Sequence, residues 1–488
     1  MEQYEKFLTH VRELETYTRI WKRLDFDKQC CAPEGGLICC GEDLAVISAR
    51  MHDLRCAPEF VEEMEDCLAH REELEPVQQA AVRYYYERYE KEKNLTPEFV
   101  LELARIESAA FEGWVRAREK NDYRIFQPHL EKVIQAFRHA VESRDRTYAH
   151  VYDGCLADYE RNSTVERMDA FFHEMKEKLL PLLAESQKSS PNVSLFQKPV
   201  PLDAQRMLSW QILQAMGLER EKTSLIETKH PFTQLMSKGD VRVTTHFYEN
   251  NFLSNIYTIL HEGGHAIHYG NLPGEFYENG IADISIFGMQ ECISRFYENV
   301  IGRSHAFCEW LVPLIRRYYP EETGKITVQQ LFEQVNAHSR NPIRMRADEA
   351  SYCIHILIRY ELEKGFMGGE ISAAEIPELW KEKYRDYLGI EVRDDREGVL
   401  QDVHWVDCIG YFPSYALGSV ASAQLFCRMQ QDLDVYGAVR ENRLYEVTEW
   451  LKEHAFHISM TSDVFTWIRE VTGSELSVDS FVRYLELK

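Results

Sequence analysis

Residues 258–271, "TILHEGGHAIHYGN", contain the pattern His-Glu-x-x-His. His261 and His265 are four residues apart, so on a helix their imidazoles lie on one face and can share a metal ion. Glu262 is turned by about 100° from His261 and could reach a water on the metal without binding the ion itself. The pattern therefore predicts a zinc hydrolase in which Glu262 is the general base.

Two histidines need a third protein ligand. His268 is about 10 Å from His261 along a straight helix, too far to share one tetrahedral ion, so we expect it to support a ligand or lie at the surface. Asn271 stands where metzincin-type sites have their last histidine, which excludes that class. The usual alternative is a carboxylate from a later helix. "IFGMQECISRFYEN" offers Glu291 and Glu298, seven residues apart on one face, and the residues alone leave that choice open.

Two glycines separate the histidines. Gly263 and Gly264 each cost a helix roughly 1 kcal/mol relative to alanine. A close approach of backbone, from a neighbouring helix or from a substrate chain, would compensate for that cost.

The elements that must position these residues are predicted to be mostly helical. Thr96 with Pro97, and Thr327 with Gln330, have the form of helix starts. "DVRVTTHFY" (240–248) alternates like a strand. A lone strand would leave an unpaired edge able to bind an extended peptide, and a local hairpin with a purely structural role is the alternative. Apolar residues recur with helical spacing over roughly 1–23, 43–93, 125–145, 163–186, 203–217, 414–434 and 440–453.

Composition restricts the classes of partner. The formal net charge of −24 disfavours nucleic acid and anionic membranes. The N-terminus is charged and amphipathic, and no apolar segment approaches the ~20 residues of a bilayer span. We therefore expect a cytoplasmic protein. The cysteine cluster "CCAPEGGLICC" (30–40) lacks the Cys-x-x-Cys spacing of zinc sites and is expected to be ordinary thiols.

A set of motifs along the chain resembles the signature motifs of a known family. The resemblance runs over essentially the whole length and depends on an ordered set of motifs rather than on one. The matching segments are "FDKQCCAPEGG" (26–36), "HPF" (230–232), "DVRVT" (240–244), "HEGGH" (261–265), "QE" within "GMQECISRFYEN" (288–299), "IRMRADE" (343–349) and "DVHWVDCIGYFPSYALG" (402–418). In this order they resemble the signature motifs of the carboxypeptidase Taq family of metallocarboxypeptidases.

The resemblance implies a fold and an activity. It implies His261, His265 and Glu291 as metal ligands, with zinc as the metal and cobalt as a possible replacement. It implies a single peptidase unit, a large helical body with a deep central groove like that of neurolysin and angiotensin-converting enzyme. An N-terminal helical part of about 1–200 would precede a part of about 201–488 that carries the zinc site. The implied reaction is release of single C-terminal residues from peptides with broad specificity, by a homodimer.

One motif departs from the family. Where the family has His-Glu-Ser-Gln around the third ligand, this chain has Gln290-Glu291-Cys292-Ile293. The ligand is retained, but the residues that would orient it and its neighbours differ.

Peptide hydrolysis needs further groups. The oxyanion needs a hydrogen-bond donor, for which we predict Tyr415, with Tyr411 or His404 near the substrate end. Their Gly-Tyr-x-x-x-Tyr spacing is similar to that of tyrosines in neurolysin-like enzymes. Arg344 is the candidate for binding a substrate carboxylate, and an ion pair with Asp348 or Glu349 is its structural alternative.

Two further residues are predicted at the substrate. His230 is expected to line the groove or to contact from behind the residues that do, and Arg242 either binds substrate or braces the strand through Asp240. The alternatives to a carboxypeptidase are an endo-oligopeptidase, a dipeptidyl carboxypeptidase, or a catalytically silent peptide-binding relative.

Overall fold

The structure is a computed structural model that describes residues 2–186, 199–284, 286–319, 326–338 and 340–488. The first half of the chain is a series of helices: α1 (Glu2–Cys30), α2 (Leu37–Arg55), α3 (Pro58–Ala69), α4 (Pro76–Glu92), α5 (Pro97–Lys120), α6 (Gln127–Glu142), α7 (Val151–Tyr159), α8 (Val165–Ser186) and α9 (Leu202–Met216). A small sheet follows, with β1 (Thr223–Glu227), β2 (Thr233–Ser237) and β3 (Asp240–Thr245).

The second half is again helical. Its helices are α10 (Phe252–Gly270), α11 (Gly274–Glu278), α12 (Phe287–Arg295), α13 (His305–Tyr318), α14 (Val328–Val335), α15 (Glu349–Gly368), α16 (Ile376–Lys383), α17 (Phe412–Met429), α18 (Val435–Arg440), α19 (Tyr445–His454), α20 (Val464–Thr472) and α21 (Val478–Glu486). The mostly-α prediction with one small β element is confirmed. None of the described helices has the length and apolar composition needed to cross a bilayer.

Local sequence signals explain several boundaries. Thr96 accepts a hydrogen bond from the Phe99 amide at the start of α5, and Thr327 and Gln330 form the predicted capping box of α14. The helical stripe expected over 43–93 is divided into three helices. Pro58 and Pro76 each begin a new helix, because proline fits the first helical turn and cannot continue a preceding helix.

The sheet corrects one prediction. The strand order is β1-β3-β2, so β3 is the central strand, parallel to β1 and antiparallel to β2. Val243 pairs with Leu225 on one side and with Thr233 on the other. The prediction of an unpaired edge on this strand was therefore wrong, and β1 and β2 are the edges instead. The alternative of a local hairpin is confirmed for β2 and β3, which are adjacent in sequence and antiparallel.

Helix packing places the site. α10 packs between α9, α12 and β3, and α12 packs along α17. α10 and α12 are therefore held side by side within the core, so residues on their facing sides meet. Residues 1–200 and 201–488 also meet in the core, since Lys22 on α1 donates to the Leu235 carbonyl on β2 at 2.9 Å.

Candidate active site

The two histidines and Glu291 converge at one point. Oε1 of Glu291 on α12 is 3.8 Å from Nε2 of His261 and 3.9 Å from Nε2 of His265, both on α10. All three ligand atoms lie within 4.8 Å of one another. Two imidazole nitrogens and one carboxylate oxygen form the donor set of catalytic zinc sites, which keep a fourth position open. The residues present therefore fit a zinc ion.

Glu298 lies on the other side of His261. Its Oε2 is 2.9 Å from Nδ1 of His261, and Nη1 of Arg295 donates to the same oxygen at 3.0 Å. Burial raises the pKa of Glu298, but Arg295 and His261 more than offset this and hold that pKa at about 2. A carboxylate that accepts the Nδ1 proton leaves the Nε2 lone pair for a metal. Glu298, the alternative third ligand, is therefore placed to orient His261.

Gln290 has the corresponding position at His265. Its Oε1 is 3.1 Å from Nδ1 of His265. The residue that replaces the family's histidine can therefore accept the Nδ1 proton, as Glu298 does for His261. The two ligand histidines are held by acceptors of different charge.

Both glycines of the motif lie against neighbouring helices. A Cβ on Gly264 would lie 2.6 Å from Cα of Ser294 on α12, and a Cβ on Gly263 would lie 2.9 Å from Cε of Met216 on α9. The close approach expected from the sequence is thus made by neighbouring helices. Gly264 in particular lets α10 come near enough to α12 for the ligands to meet.

His268 is fully buried and is not part of the ligand group, and its Nε2 lies 3.1 Å from Oγ of Ser459. Burial lowers the pKa of His268 to about 3, so its imidazole is neutral. Of the two positions predicted for it, the surface is excluded.

A cavity of about 1620 Å³ opens onto these groups. Glu262 is 7% exposed on its wall, and Thr233 Oγ1 lies 2.8 Å from its Oε2. No sequence signal pointed to Thr233, which directly follows the "HPF" motif. The lining also includes the three candidate ligands, Arg344, Tyr411 and Tyr415.

The tyrosine pair and His404 form one cluster. The rings of Tyr411 and Tyr415 are 4.8 Å apart, and Nε2 of His404 is 3.1 Å from the Tyr415 hydroxyl. Burial raises the pKa of both tyrosines and lowers that of His404 to about 3, so the hydroxyls stay protonated and the imidazole stays neutral. His404 does not line the cavity itself and lies behind Tyr415.

Arg344 is buried and paired, but not with the residues expected. Its Nε and Nη2 donate to Oδ1 of Asp402 at 3.1 and 2.8 Å, and its Nη1 donates to the Tyr352 hydroxyl at 2.8 Å. Arg359 donates to the other Asp402 oxygen at 2.6 Å. These contacts use three of the five N–H groups of Arg344.

Two predicted substrate residues lie off the cavity. His230 is exposed, and its carbonyl accepts from the Thr228 hydroxyl. Arg242 pairs with both carboxylate oxygens of Asp240 at 3.2 Å and stacks on Phe26, so it braces the strand. Neither side chain is among the lining residues of the cavity.

A second group with ligand-type atoms consists of His52, Cys56 and Glu92. Glu92 there is already paired with Arg55 at 3.0 Å and with Arg88 at 3.6 Å. Two guanidinium groups beside the carboxylate oppose a cation, so this group does not resemble the site on α10.

Comparison with known proteins gives consistent matches. The family profile described as carboxypeptidase Taq (M32) metallopeptidase matches residues 6–488. Carboxypeptidase 1 of Bacillus subtilis (strain 168) is 33% identical, over 99% of this chain and 98% of that protein. Thermostable carboxypeptidase 1 of Thermus thermophilus is 32% identical, again over 99% and 98% of the two chains.

Solved structures agree. A carboxypeptidase from Pyrococcus furiosus superposes with a TM-score of 0.95 at 28% identity, covering 100% of this chain and 99% of that one. Metallocarboxypeptidase 1 from Trypanosoma cruzi gives a TM-score of 0.94 at 30% identity, with coverage of 100% and 99%.

Proposed function

The chain belongs to the carboxypeptidase Taq family of metallopeptidases, and on that premise we propose that it is a zinc-dependent carboxypeptidase that releases single C-terminal residues from peptides with broad specificity. The observation that carries the proposal is the convergence of His261, His265 and Glu291 within 4.8 Å, beside Glu262 on the wall of a large cavity. When bound, zinc would acidify a water and polarise the scissile carbonyl, and cobalt could supply the same chemistry.

Glu262 moves the proton in this proposal. Its carboxylate takes a proton from the attacking water and passes it to the nitrogen of the departing residue. The side chain is 7% exposed and lines the cavity, so it can reach water there while most of its surface is shielded.

Tyr415 would donate to the oxyanion. His404 has a buried Nδ1 without a hydrogen-bond partner in the described part of the chain, and a proton on that atom would be an unsatisfied donor. The favoured tautomer therefore carries its proton on Nε2 and donates it to the Tyr415 oxygen, which leaves the Tyr415 proton for the substrate. His404 thus positions Tyr415, and Tyr411 packs beside it at the cavity wall.

Arg344 would bind the C-terminal carboxylate of the substrate. Two of its five N–H groups have no partner among the described residues, and the side chain lines the cavity. Asp402 and Tyr352 hold the guanidinium in place, so little side-chain entropy is lost when a carboxylate binds. A role in substrate binding for His230 and Arg242 remains a prediction from the sequence.

The test is a time course by mass spectrometry on a peptide with a free C-terminus and on the same peptide amidated. We expect the free acid to lose one residue at a time and the amide to resist cleavage. Cuts inside both peptides would instead indicate an endo-oligopeptidase, and loss of residue pairs a dipeptidyl carboxypeptidase. No cleavage by metal-loaded protein would indicate a silent peptide-binding relative.

The control for the mechanism is Glu262→Gln. It should keep its metal, measured by elemental analysis, and lose at least about a hundredfold in kcat. A homodimer and a cytoplasmic location also belong to the proposal, and light scattering of the purified protein tests the first.

A further inference from the structure

Thr233 is the first residue of β2 and lies half-buried on the cavity wall. Its hydroxyl oxygen is 2.8 Å from Oε2 of Glu262 and 2.9 Å from the main-chain oxygen of Glu262. Within the described residues, Thr233 supplies the one hydrogen bond that the Glu262 carboxylate receives. Oε1 of Glu262 therefore remains for the cavity.

The position of Thr233 is fixed by the strand beside it. Oγ1 of Thr244 on β3 accepts from the Phe232 amide at 2.7 Å, and the Thr244 amide donates to the Phe232 carbonyl at 2.9 Å. Thr233 itself pairs with Val243. The backbone is therefore hydrogen-bonded to β3 at Phe232 and paired with β3 at Thr233. This pairing holds the Thr233 hydroxyl in place against α10.

The Thr233 hydroxyl lies within hydrogen-bond distance of two acceptors, the carboxylate and the main-chain carbonyl of Glu262. A hydroxyl has one proton, so it can serve the carboxylate or the carbonyl fully, but not both. A carboxylate is the stronger acceptor, and it weakens as an acceptor once it has taken a proton. If the hydroxyl had the carboxylate as its one acceptor, its hydrogen bond would weaken whenever Oε1 takes a proton, and this would oppose the proton transfer.

We propose that Thr233 is a positioning residue for Glu262, holding Oε2 so that Oε1 faces the substrate and transferring its hydrogen bond to the Glu262 carbonyl when the carboxyl group is protonated. The proton of the attacking water goes to Oε1, and the same proton leaves Oε1 for the departing amine. The Thr233 proton stays on Thr233 throughout and changes only its acceptor. This inference rests on the proposed function, in which Glu262 is the base.

The test compares Thr233→Val with Thr233→Ser. Valine keeps the shape and removes the hydroxyl, so kcat should fall roughly 10- to 100-fold while KM changes by less than about threefold. Serine restores the donor and should recover most of kcat. Metal content and the denaturant midpoint, measured on each variant, should stay near those of the unaltered protein. Thr233→Ala provides a second hydroxyl-free variant if the valine variant folds poorly.

The matched control is Thr245→Val. Thr245 lies on β3 of the same sheet and donates to Oδ1 of Asn255 on α10 at 2.8 Å, away from the carboxylate. Removing that hydroxyl also costs one hydrogen bond between the sheet and α10, so a loss of kcat in this variant equal to that of Thr233→Val would show a general structural effect.

Two other results would overturn the proposal: a hydroxyl-free variant with kcat within about twofold of normal, or a serine variant as slow as the valine variant. Glu262→Gln, measured in parallel, separates this failure from failure of the proposed function. If Glu262→Gln is active, the base assignment is wrong. If it is inactive while Thr233→Val is normal, only the role of Thr233 is wrong.

Discussion

The ligand histidines are oriented by two acceptors that differ in charge. Glu298 accepts from Nδ1 of His261 as a carboxylate, and Gln290 accepts from Nδ1 of His265 as an amide. A carboxylate increases the basicity of the imidazole more than an amide does. His265 should therefore be the weaker of the two ligands, and its orientation depends on one neutral hydrogen bond.

We expect Gln290→Leu to lower the affinity for zinc about 10- to 100-fold, because His265 loses the acceptor that fixes its tautomer. The affinity is measured by equilibrium competition with a chromogenic chelator. Gln290→Glu keeps an acceptor at the same place and should bind zinc at least as well as the unaltered protein. Equal affinities for the leucine and glutamate variants would show that this hydrogen bond does not orient the ligand.

At the scale of elements, glycines set the distance between the helices that carry the ligands. Gly264 brings α10 against α12, and Gly418 brings α17 against α12, where its Cβ would lie 2.4 Å from Cβ of Glu291. α12 is therefore enclosed by two helices that approach through positions without side chains. Small changes at these positions should move Glu291 relative to the histidines.

Gly264→Ala tests this packing. The added methyl group would meet the Ser294 backbone at 2.6 Å, so the helices must separate, and we expect a loss of roughly 1–3 kcal/mol in the free energy of unfolding together with weaker metal binding. Gly270→Ala, in the same helix, is the control, since nothing lies within 4 Å of its Cβ position. Denaturant unfolding and metal content measure both. A Gly264→Ala variant as stable and metal-replete as Gly270→Ala would contradict the packing argument.

The sequence predicted elements better than it predicted their partners. Helix periodicity and the caps at Thr96 and Thr327 are local signals, and the structure confirms them. The pairing of β3 with two short neighbours depends on residues distant along the chain, which periodicity does not report. The division predicted at about residue 200 adjoins residues 187–198, which lie outside the described part of the chain.

The third ligand shows the same limit. Spacing alone placed Glu291 and Glu298 on one face of a helix, and only the family resemblance favoured Glu291. In the structure α12 ends at Arg295 and continues as a π-helical turn over Phe296–Ile301, which changes the angular spacing between the two carboxylates. Arg344 lines the cavity, but its partner Asp402 lies 58 residues away along the chain, and the sequence did not indicate this pairing.

At the scale of the whole molecule, buried carboxyl groups join parts of the chain that are far apart in sequence. Glu363 on α15 is fully buried and accepts from Trp405 Nε1 at 2.8 Å, the Gly410 amide at 3.0 Å and the Tyr152 hydroxyl. Trp405 and Gly410 are adjacent to His404 and Tyr411. The Glu363 carboxyl group therefore holds both ends of the segment 405–410, which lies between His404 and Tyr411. Its hydrogen bond with Tyr152 connects this segment to α7 in the first part of the chain.

This anchor should make stability depend on pH. Burial raises the pKa of Glu363 to about 7, despite its three hydrogen bonds and the nearby charge of Arg359. Because this pKa is higher in the folded than in the unfolded chain, the stabilisation is complete below about pH 4.5 and is lost as the pH rises through about 7. The glutamine in Glu363→Gln cannot titrate. The free energy of unfolding that this variant loses through altered hydrogen bonds therefore does not depend on pH. We therefore expect the free energy of unfolding of this variant, minus that of the unaltered protein, to rise by up to about 3 kcal/mol between pH 4.5 and 8.

Titration of the histidine site occurs in both proteins and cancels in the difference. Denaturant midpoints across this pH range measure it, with the exposed Glu370→Gln as the control whose difference should stay constant. A difference for Glu363→Gln that stays constant, or falls as the pH rises, would show that this carboxyl group does not carry the predicted proton.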